Sequence, residues 1–158
     1  MRVGSGFDIH RLGAARPLRL GGVAIPEGPG LIGHSDADCL LHAMADALLG
    51  AAGLPDIGHH FPPGDPRFKD ADSALLVKEV VRLVAAAGFR VANVDCTVMA
   101  ERPRLQPYRE RMRARIAEIL GLAPGSVGVK FGTMEGLGAL GRGEGIACQA
   151  VCLLEEGA

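Results

Sequence analysis

All five histidines of the chain fall within its first 60 residues, and three stand beside acidic residues: Asp8-x-His10, His34-Ser-Asp-x-Asp, and His42-Ala-x-x-Asp46. Imidazole nitrogen and carboxylate oxygen are donors that zinc accepts, and a catalytic zinc takes three protein ligands and leaves a fourth position open. Asp8 and His10 are two apart, so on a strand they project from one face and can chelate one ion together. His42 is the natural third ligand. Each residue also has an ordinary reading: Asp8 and His10 as a hydrogen-bonded pair, His42 as a satisfied core histidine facing a sheet. The metal is favoured because Asp38, His42 and Asp46 share a helical face by their i, i+4 spacing. Three ionisable groups on an otherwise apolar helix are costly to bury unless they coordinate or pair. Asp46 is alternatively an acceptor that fixes the tautomer of His42.

His59 and His60 lie in a proline-rich loop and are left outside the site. Ser35 is read as a helix cap rather than a nucleophile, and a helix beginning after His34 offers its backbone N–H groups to a phosphate. A second candidate region is the glycine-rich stretch KFGTMEGLGALGRGEGIA at 130–147. It carries no Walker or dinucleotide fingerprint. A flexible hairpin is one reading; the other is a phosphate-and-magnesium site in which Thr133, Glu135 and Arg142 stand among accessible backbone groups.

These residues need elements to hold them. Residues 2–9 read as a strand that delivers Asp8 and His10 at its C-terminal edge, and 17–25 as a small hairpin about Gly21-Gly22. A helix is predicted from Ser35 or Asp36, where S-x-x-D supplies a cap, to a stop at Gly53 and Pro55. Residues 56–70, with three prolines and two glycines, read as a long surface loop. A second helix over 72–87 has the stripe Leu75, Leu76, Val80, Leu83, Val84. A strand at about 90–100 follows, then a third helix from Pro107 with Met112, Ile116, Ile119 and Leu120 inward, and strands at 127–132 and 145–154. Alternating strands and helices indicate a layered α/β or α+β sandwich, with no internal repeat and no linker in 1–158.

Composition bounds the function. With 158 residues, 48% hydrophobic, 22% charged and a net charge of -1, the chain has the make-up of a folded globular protein and shows no bias towards nucleic acid or an anionic membrane. The arginines between Arg102 and Arg115 are interleaved with Glu101, Glu110 and Glu118 and read as a solvated helix face. Four scattered cysteines without a C-x-x-C pair fit free thiols in a reducing compartment. The opening residues MRVGSGFDIH read as a strand, not a leader, and predict a cytoplasmic protein.

Several separate motifs, in order, carry a resemblance: GFDIH at 6–10, HSDAD at 34–38, HAMADALLGAA at 42–52, DIG at 56–58, FKDADS at 68–73, NVD at 93–95 and GRGEGIA at 141–147. Over its whole length the chain resembles the 2-C-methyl-D-erythritol 2,4-cyclodiphosphate synthase family of the non-mevalonate isoprenoid pathway. The resemblance implies an α+β sandwich: a four-stranded mixed sheet with helices on one face in a ferredoxin-like βαβ arrangement, plus a small hairpin. It also implies that the sheets pack together in a homotrimer with active sites between subunits. Zinc is implied at Asp8, His10 and His42, and magnesium or manganese at Glu135. His34 and Thr133 would align the substrate and stabilise the transition state, and Asp56, Ile57 and Gly58 would hold the methylerythritol portion. The cytidine pocket would be Ala100 to Gln106, including Pro103, Arg104 and Leu105, with Gly132 and Thr133. Ile9, Ser35, Phe61, Asp65 and Arg142 would complete the substrate contacts. Phe7, Arg142 and Glu144 would line a central cavity that accepts isoprenoid diphosphates. Pro63, Ala139 and Arg104 depart from the family pattern, which commonly has an acidic residue, an aromatic and lysine there.

The implied reaction is attack of a 2-phosphate on the β-phosphorus of the substrate's own cytidine diphosphate, closing a cyclic diphosphate and expelling CMP. Phosphate is already anionic near neutrality and leaves with little protonation, so no strong general base or acid is demanded. Two rivals stay open on the residues alone. One is a zinc hydrolase of phosphate esters; the other is a non-catalytic trimeric module that binds isoprenoid diphosphates.

Overall fold

The computed structural model describes residues 1–157. The first strand, β1, spans Arg2–Ala14, longer than the predicted 2–9. Its pairing continues past Asp8 and His10, first on the last strand and then on a two-residue neighbour at Gly30–Leu31. Between them Leu18–Leu20 (β2) and Val23–Ile25 (β3) form the predicted hairpin. Gly21 and Gly22 sit at φ 61° and 72°, the left-handed backbone that a two-residue hairpin turn demands at both positions. Gly30–Leu31 is β4.

Helix α1 spans Cys39–Ala52 and ends at Gly53, φ 73°. Its cap is Asp38, not Ser35. The Asp38 carboxylate is buried and accepts from Leu41 N (3.0 Å), Gly21 N (2.9 Å) and Gly22 N (2.7 Å), so it caps the helix and fastens the hairpin turn at once. Burial pushes its carboxyl above the ordinary range despite these donors. The N-terminus of α1 is therefore closed by a side chain rather than open to a phosphate. Asp38→Ala strands three donors, each worth about 1–3 kcal/mol when buried unpaired. The variant is expected to lose at least about 3 kcal/mol, read as a lowered urea midpoint in an equilibrium melt.

The 56–70 loop holds a short helical turn, Ile57–His60 (α2), and a 3-10 turn, Pro66–Phe68, capped by the Asp56 and Asp65 side chains. Helix α3 follows at Ser73–Ala86. Its buried face is Ala74, Leu76, Val77, Val80 and Val84, while Leu75 of the predicted stripe is 63% exposed. Strand β5 is Phe89–Met99, helix α4 is Arg109–Leu120, and β6 is Val127–Gly132. Met112, Ile116, Ile119 and Leu120 of α4 are buried as predicted. A four-residue turn of helix, Gly138–Gly141 (α5), precedes the last strand, β7, at Gly145–Glu156.

The sheet is mixed and has five strands in the order β4-β1-β7-β5-β6, one more than expected because β4 adds to the edge. Strand β7 runs antiparallel to both β1 and β5, from Arg2↔Leu154 to Arg11↔Gly145 on one side and from Phe89↔Glu156 to Met99↔Ala147 on the other. The β1-to-β5 crossover is thus split by β7, whereas α4 joins the adjacent parallel strands β5 and β6. A ferredoxin-like arrangement would split the second crossover too. The glycine-rich stretch is not a hairpin, because β5 lies between β6 and β7.

Glycine decides how closely α1 approaches the sheet. A Cβ at Gly4 would lie 2.0 Å from Ala47 O, and one at Gly6 2.0 Å from Ala43 O. With Ala43, Ala47 and Ala51 facing them, helix and strand backbones nearly touch. The opposite face of the sheet is uncovered in the chain: Val3, Phe7 and Ile9 are 71%, 57% and 51% exposed. The four cysteines are free and buried. Among the described residues, no helix is long and apolar enough to cross a membrane.

Candidate metal centre and substrate clefts

Strand alternation sends Asp8 and His10 to the helix-bearing face, and the close approach of α1 brings His42 over them. His10 Nε2 lies 2.9 Å from Asp8 Oδ2, His42 Nδ1 lies 3.2 Å from the same oxygen, and the two ring nitrogens are 3.3 Å apart. Ligand atoms about 2.0–2.1 Å from a tetrahedral zinc are separated by about 3.3 Å. The triangle already has nearly that size, and its donor chemistry suits zinc. Among the described residues these three form the one group of histidine, cysteine and acidic side chains able to hold a metal ion. His10 Nδ1 donates to Ile32 O (2.8 Å), which leaves Nε2 free to ligate.

Electrostatics agree with a preformed pair. Burial pushes the Asp8 carboxyl up, but the neighbouring imidazoles of His10 and His42 outweigh it and hold the group well below the usual carboxylate range. Burial lowers the His10 imidazole, and Asp8 more than reverses this, so His10 titrates above its ordinary value.

The triangle opens on a cavity of about 240 Å³. Of the expected substrate residues, His34, Ser35, Ile57, Gly58 and Phe61 line it and Asp56 does not; Asp46, Pro63, Phe68 and Leu76 complete the lining. Phe61 and Phe68 meet edge to face at 5.3 Å and form its apolar wall. His34 Nε2 donates to Asp65 O (3.0 Å). Asp46 Oδ1 accepts from Ile57 N (2.7 Å) and therefore anchors the loop rather than the His42 ring. Burial, with help from Asp56 and Asp8, raises the Asp46 carboxyl. Asp56 caps α2 through His59 N (3.0 Å).

Ile9 and Asp65, like Arg142 below, are expected substrate residues that stand elsewhere. Ile9, between the chelating pair, projects to the other face of the sheet and is half exposed. The Asp65 side chain is outside the cavity and pairs with Arg67 (2.7 Å), which holds its carboxyl below the usual range.

A second cavity, about 330 Å³, lies beyond the ends of β5 and β6. It gathers Ala100, Glu101, Pro103, Arg104, Leu105 and Gln106 of the predicted cytidine segment with Gly132 and Thr133, and adds Phe131. Thr133 Oγ1 donates to Glu135 Oε1 (3.3 Å), and Glu135 sits at φ 52° on the turn that follows. Glu101 Oε1 accepts from Met134 N (2.8 Å) and pins that turn. Arg142 Nε pairs with Glu144 (2.7 Å) away from both cavities. Strands β1, β5 and β6 point the same way, so both cavities lie at one end of the sheet. β7 separates β1 from β5, which puts those two strands about 10 Å apart, and no lining residue is common to the two cavities.

Sequence reasoning missed Ser73 and Asp36 as site residues, and gave Glu101 a place in the Ala100–Gln106 segment without its role in pinning the turn. Ser73 Oγ lies 2.9 Å from His42 Nε2, where Asp46 was one of the expected partners. The signal available for Ser73 was its place at the end of the FKDADS motif.

The YgbB family model matches residues 1–155. A 2-C-methyl-D-erythritol 2,4-cyclodiphosphate synthase of Moorella thermoacetica is 62% identical over 154 residues, 98% of this chain and 94% of that protein. Among solved structures, the bifunctional IspDF of Campylobacter jejuni superposes at TM-score 0.95 with 43% identity; the alignment covers 98% of this chain and 42% of that one. A 2C-methyl-D-erythritol-2,4-cyclodiphosphate synthase in a CDP-bound form superposes at TM-score 0.90 with 39% identity, covering 98% and 100%. With the Asp8–His10–His42 triangle and both cavities at one end of the sheet, these similarities place the chain in the YgbB family, that of the 2-C-methyl-D-erythritol 2,4-cyclodiphosphate synthases.

Proposed function

We propose that the chain, as one catalytic domain over 1–158, converts 4-diphosphocytidyl-2-C-methyl-D-erythritol 2-phosphate to the 2,4-cyclodiphosphate with release of CMP. The observation that carries this reading is the Asp8–His10–His42 triangle, preformed at zinc dimensions and open towards a cavity. Zinc held there would supply a Lewis-acid charge to a phosphoryl oxygen. Glu135 would hold magnesium or manganese, which characteristically takes one or two carboxylates and completes its shell with substrate phosphates and water.

The remaining work is positioning. The 2-phosphate oxygen attacks the β-phosphorus, the bond from that phosphorus to the CMP oxygen breaks, and the negative charge leaves on CMP. Two polar groups that line the metal cavity hold the loop: His34 donates to Asp65 O and Asp46 Oδ1 accepts from Ile57 N. Such a site suits a nucleophile that is already anionic better than a water needing a base. His34 and Thr133 would flank the reacting phosphates. Ile57, Gly58 and Phe61 would shape the methylerythritol subsite, and Ala100–Leu105 with Gly132 would receive cytidine. Holding both phosphates of one molecule in line is worth several kcal/mol, on the order of 7–11 in the best intramolecular cases.

A homotrimer is supported by the uncovered apolar sheet face of Val3, Phe7 and Ile9, and by the separation of the two cavities within one chain. A partner's second cavity would meet this chain's metal centre. Arg142, Glu144 and Phe7 would then face the threefold axis, where an isoprenoid diphosphate would bind. The composition and the buried free thiols accord with the cytoplasm.

The test is to incubate the chain with the substrate, zinc and magnesium in 18O-water and follow phosphorus NMR. CMP and a cyclic diphosphate without the heavy isotope are expected, and chelation of the metals should stop both. A labelled phosphate product would assign hydrolysis instead, and binding without CMP release would leave a non-catalytic module.

A further inference from the structure

The ring nitrogen of His42 that faces away from the metal triangle is held by a chain of two side chains. Ser73, the first residue of α3, is fully buried, and its Oγ lies 2.9 Å from His42 Nε2. The Ser73 hydroxyl donates to Asp36 Oδ1 in a short hydrogen bond, and Ser73 N donates to Asp36 Oδ2 (3.1 Å). A serine hydroxyl has one hydrogen. With that hydrogen on the Asp36 carboxylate, Oγ can only accept from His42, so Nε2 must carry the ring proton. Nδ1 is then left with its lone pair towards Asp8 and His10. Ser35 Oγ also lies 3.2 Å from the same nitrogen and accepts from Ala37 N. Asp36 is itself fixed: its N–H donates to Ala71 O (3.0 Å), and Oδ1 also accepts from Asp38 N (3.1 Å).

We propose that Asp36, acting through Ser73, is the positioning residue of the metal centre, setting the tautomer and ring orientation of His42. It touches neither substrate nor metal. Partners of this kind are worth about 10- to 100-fold in metal affinity. The inference rests on the metal reading above and deepens it.

The test uses the full chain, with cobalt(II) as a spectroscopic probe of the same donors. The unaltered chain is expected to bind cobalt with the visible absorption of a tetrahedral ion. S73A and D36N should each weaken cobalt binding by about 10- to 100-fold, and S73T, which keeps the hydroxyl, should restore most of it. The S73A/D36N double variant should lose little beyond the larger single loss, because both changes cut one chain. In the metal-free protein, 15N spectra should show His42 protonated at Nε2, and a mixed population in S73A. Should S73A fail to fold, D36N alone decides. Cobalt affinity in a folded D36N or S73A within about twofold of the unaltered chain overturns the proposal, as does simple addition of the two losses. Failure of the unaltered chain to bind cobalt would instead overturn the metal reading, and this inference with it.

Discussion

His42→Ala is expected to lose metal and turnover together. The substitution removes one of three donors and leaves Asp8 and His10 as a pair at 2.9 Å, a geometry that satisfies both without an ion. Loss of a supporting residue costs about 10- to 100-fold in affinity; loss of a ligand should exceed that, and CMP release should fall by at least about a thousandfold. The fold should survive, because the His42 ring lies at the cavity edge and the buried face of α1 rests on Leu40, Leu41, Met44 and Leu48. Metal content after gel filtration and the rate of CMP release check the two losses on one sample. A metal-free His42→Ala protein that released CMP at the unaltered rate would sink the zinc reading.

What made the candidate metal set legible is that its code is local. Asp8 and His10 sit two apart on one strand, and their shared face follows from the pleat wherever that strand lies. The hairpin at Gly21-Gly22 and the inward face of α4 were readable for the same reason. Contacts made across the chain were not. Ser35 and Asp38 are equivalent cap candidates by local pattern, and the choice falls to Asp38 because the hairpin delivers two further N–H groups to it. Asp46 has the right spacing to touch His42, but the loop after α1 returns and Ile57 N takes it first. Ser73 is 31 residues from His42, and nothing periodic connects them. Strand order was hidden as well: the insertion of β7 between β1 and β5 depends on pairing partners, which hydrophobic alternation does not encode. The same insertion stops the glycine-rich stretch from closing as a hairpin. Apolar spacing alone fits two neighbouring phases of α3, one of which puts Leu75 in the core, and only the packing of α3 on β5 and α1 selects the other.

Gly6→Ala should damage the metal centre from a position that never touches it. The added Cβ would lie 2.0 Å from Ala43 O and 2.6 Å from Ala47 N. Both are backbone atoms of α1, with no flexible end to swing aside, so the helix must move away from β1. Overpacking of this kind costs about 1–3 kcal/mol, and more where backbone is involved. Ala43 is the neighbour of His42 in the chain, so the shift carries the third ligand away from the two that β1 holds. Thermal stability and cobalt affinity are therefore expected to fall together, with the affinity loss larger than in a surface variant of equal stability. Gly50→Ala is the matched control. Gly50 lies on the same helix with open space around its missing side chain, and alanine there should raise stability by about 0.5–1 kcal/mol and leave cobalt binding unchanged. If Gly6→Ala melted and bound cobalt like the unaltered chain, the close seating of α1 on β1 would not be what sets the spacing of the three ligands.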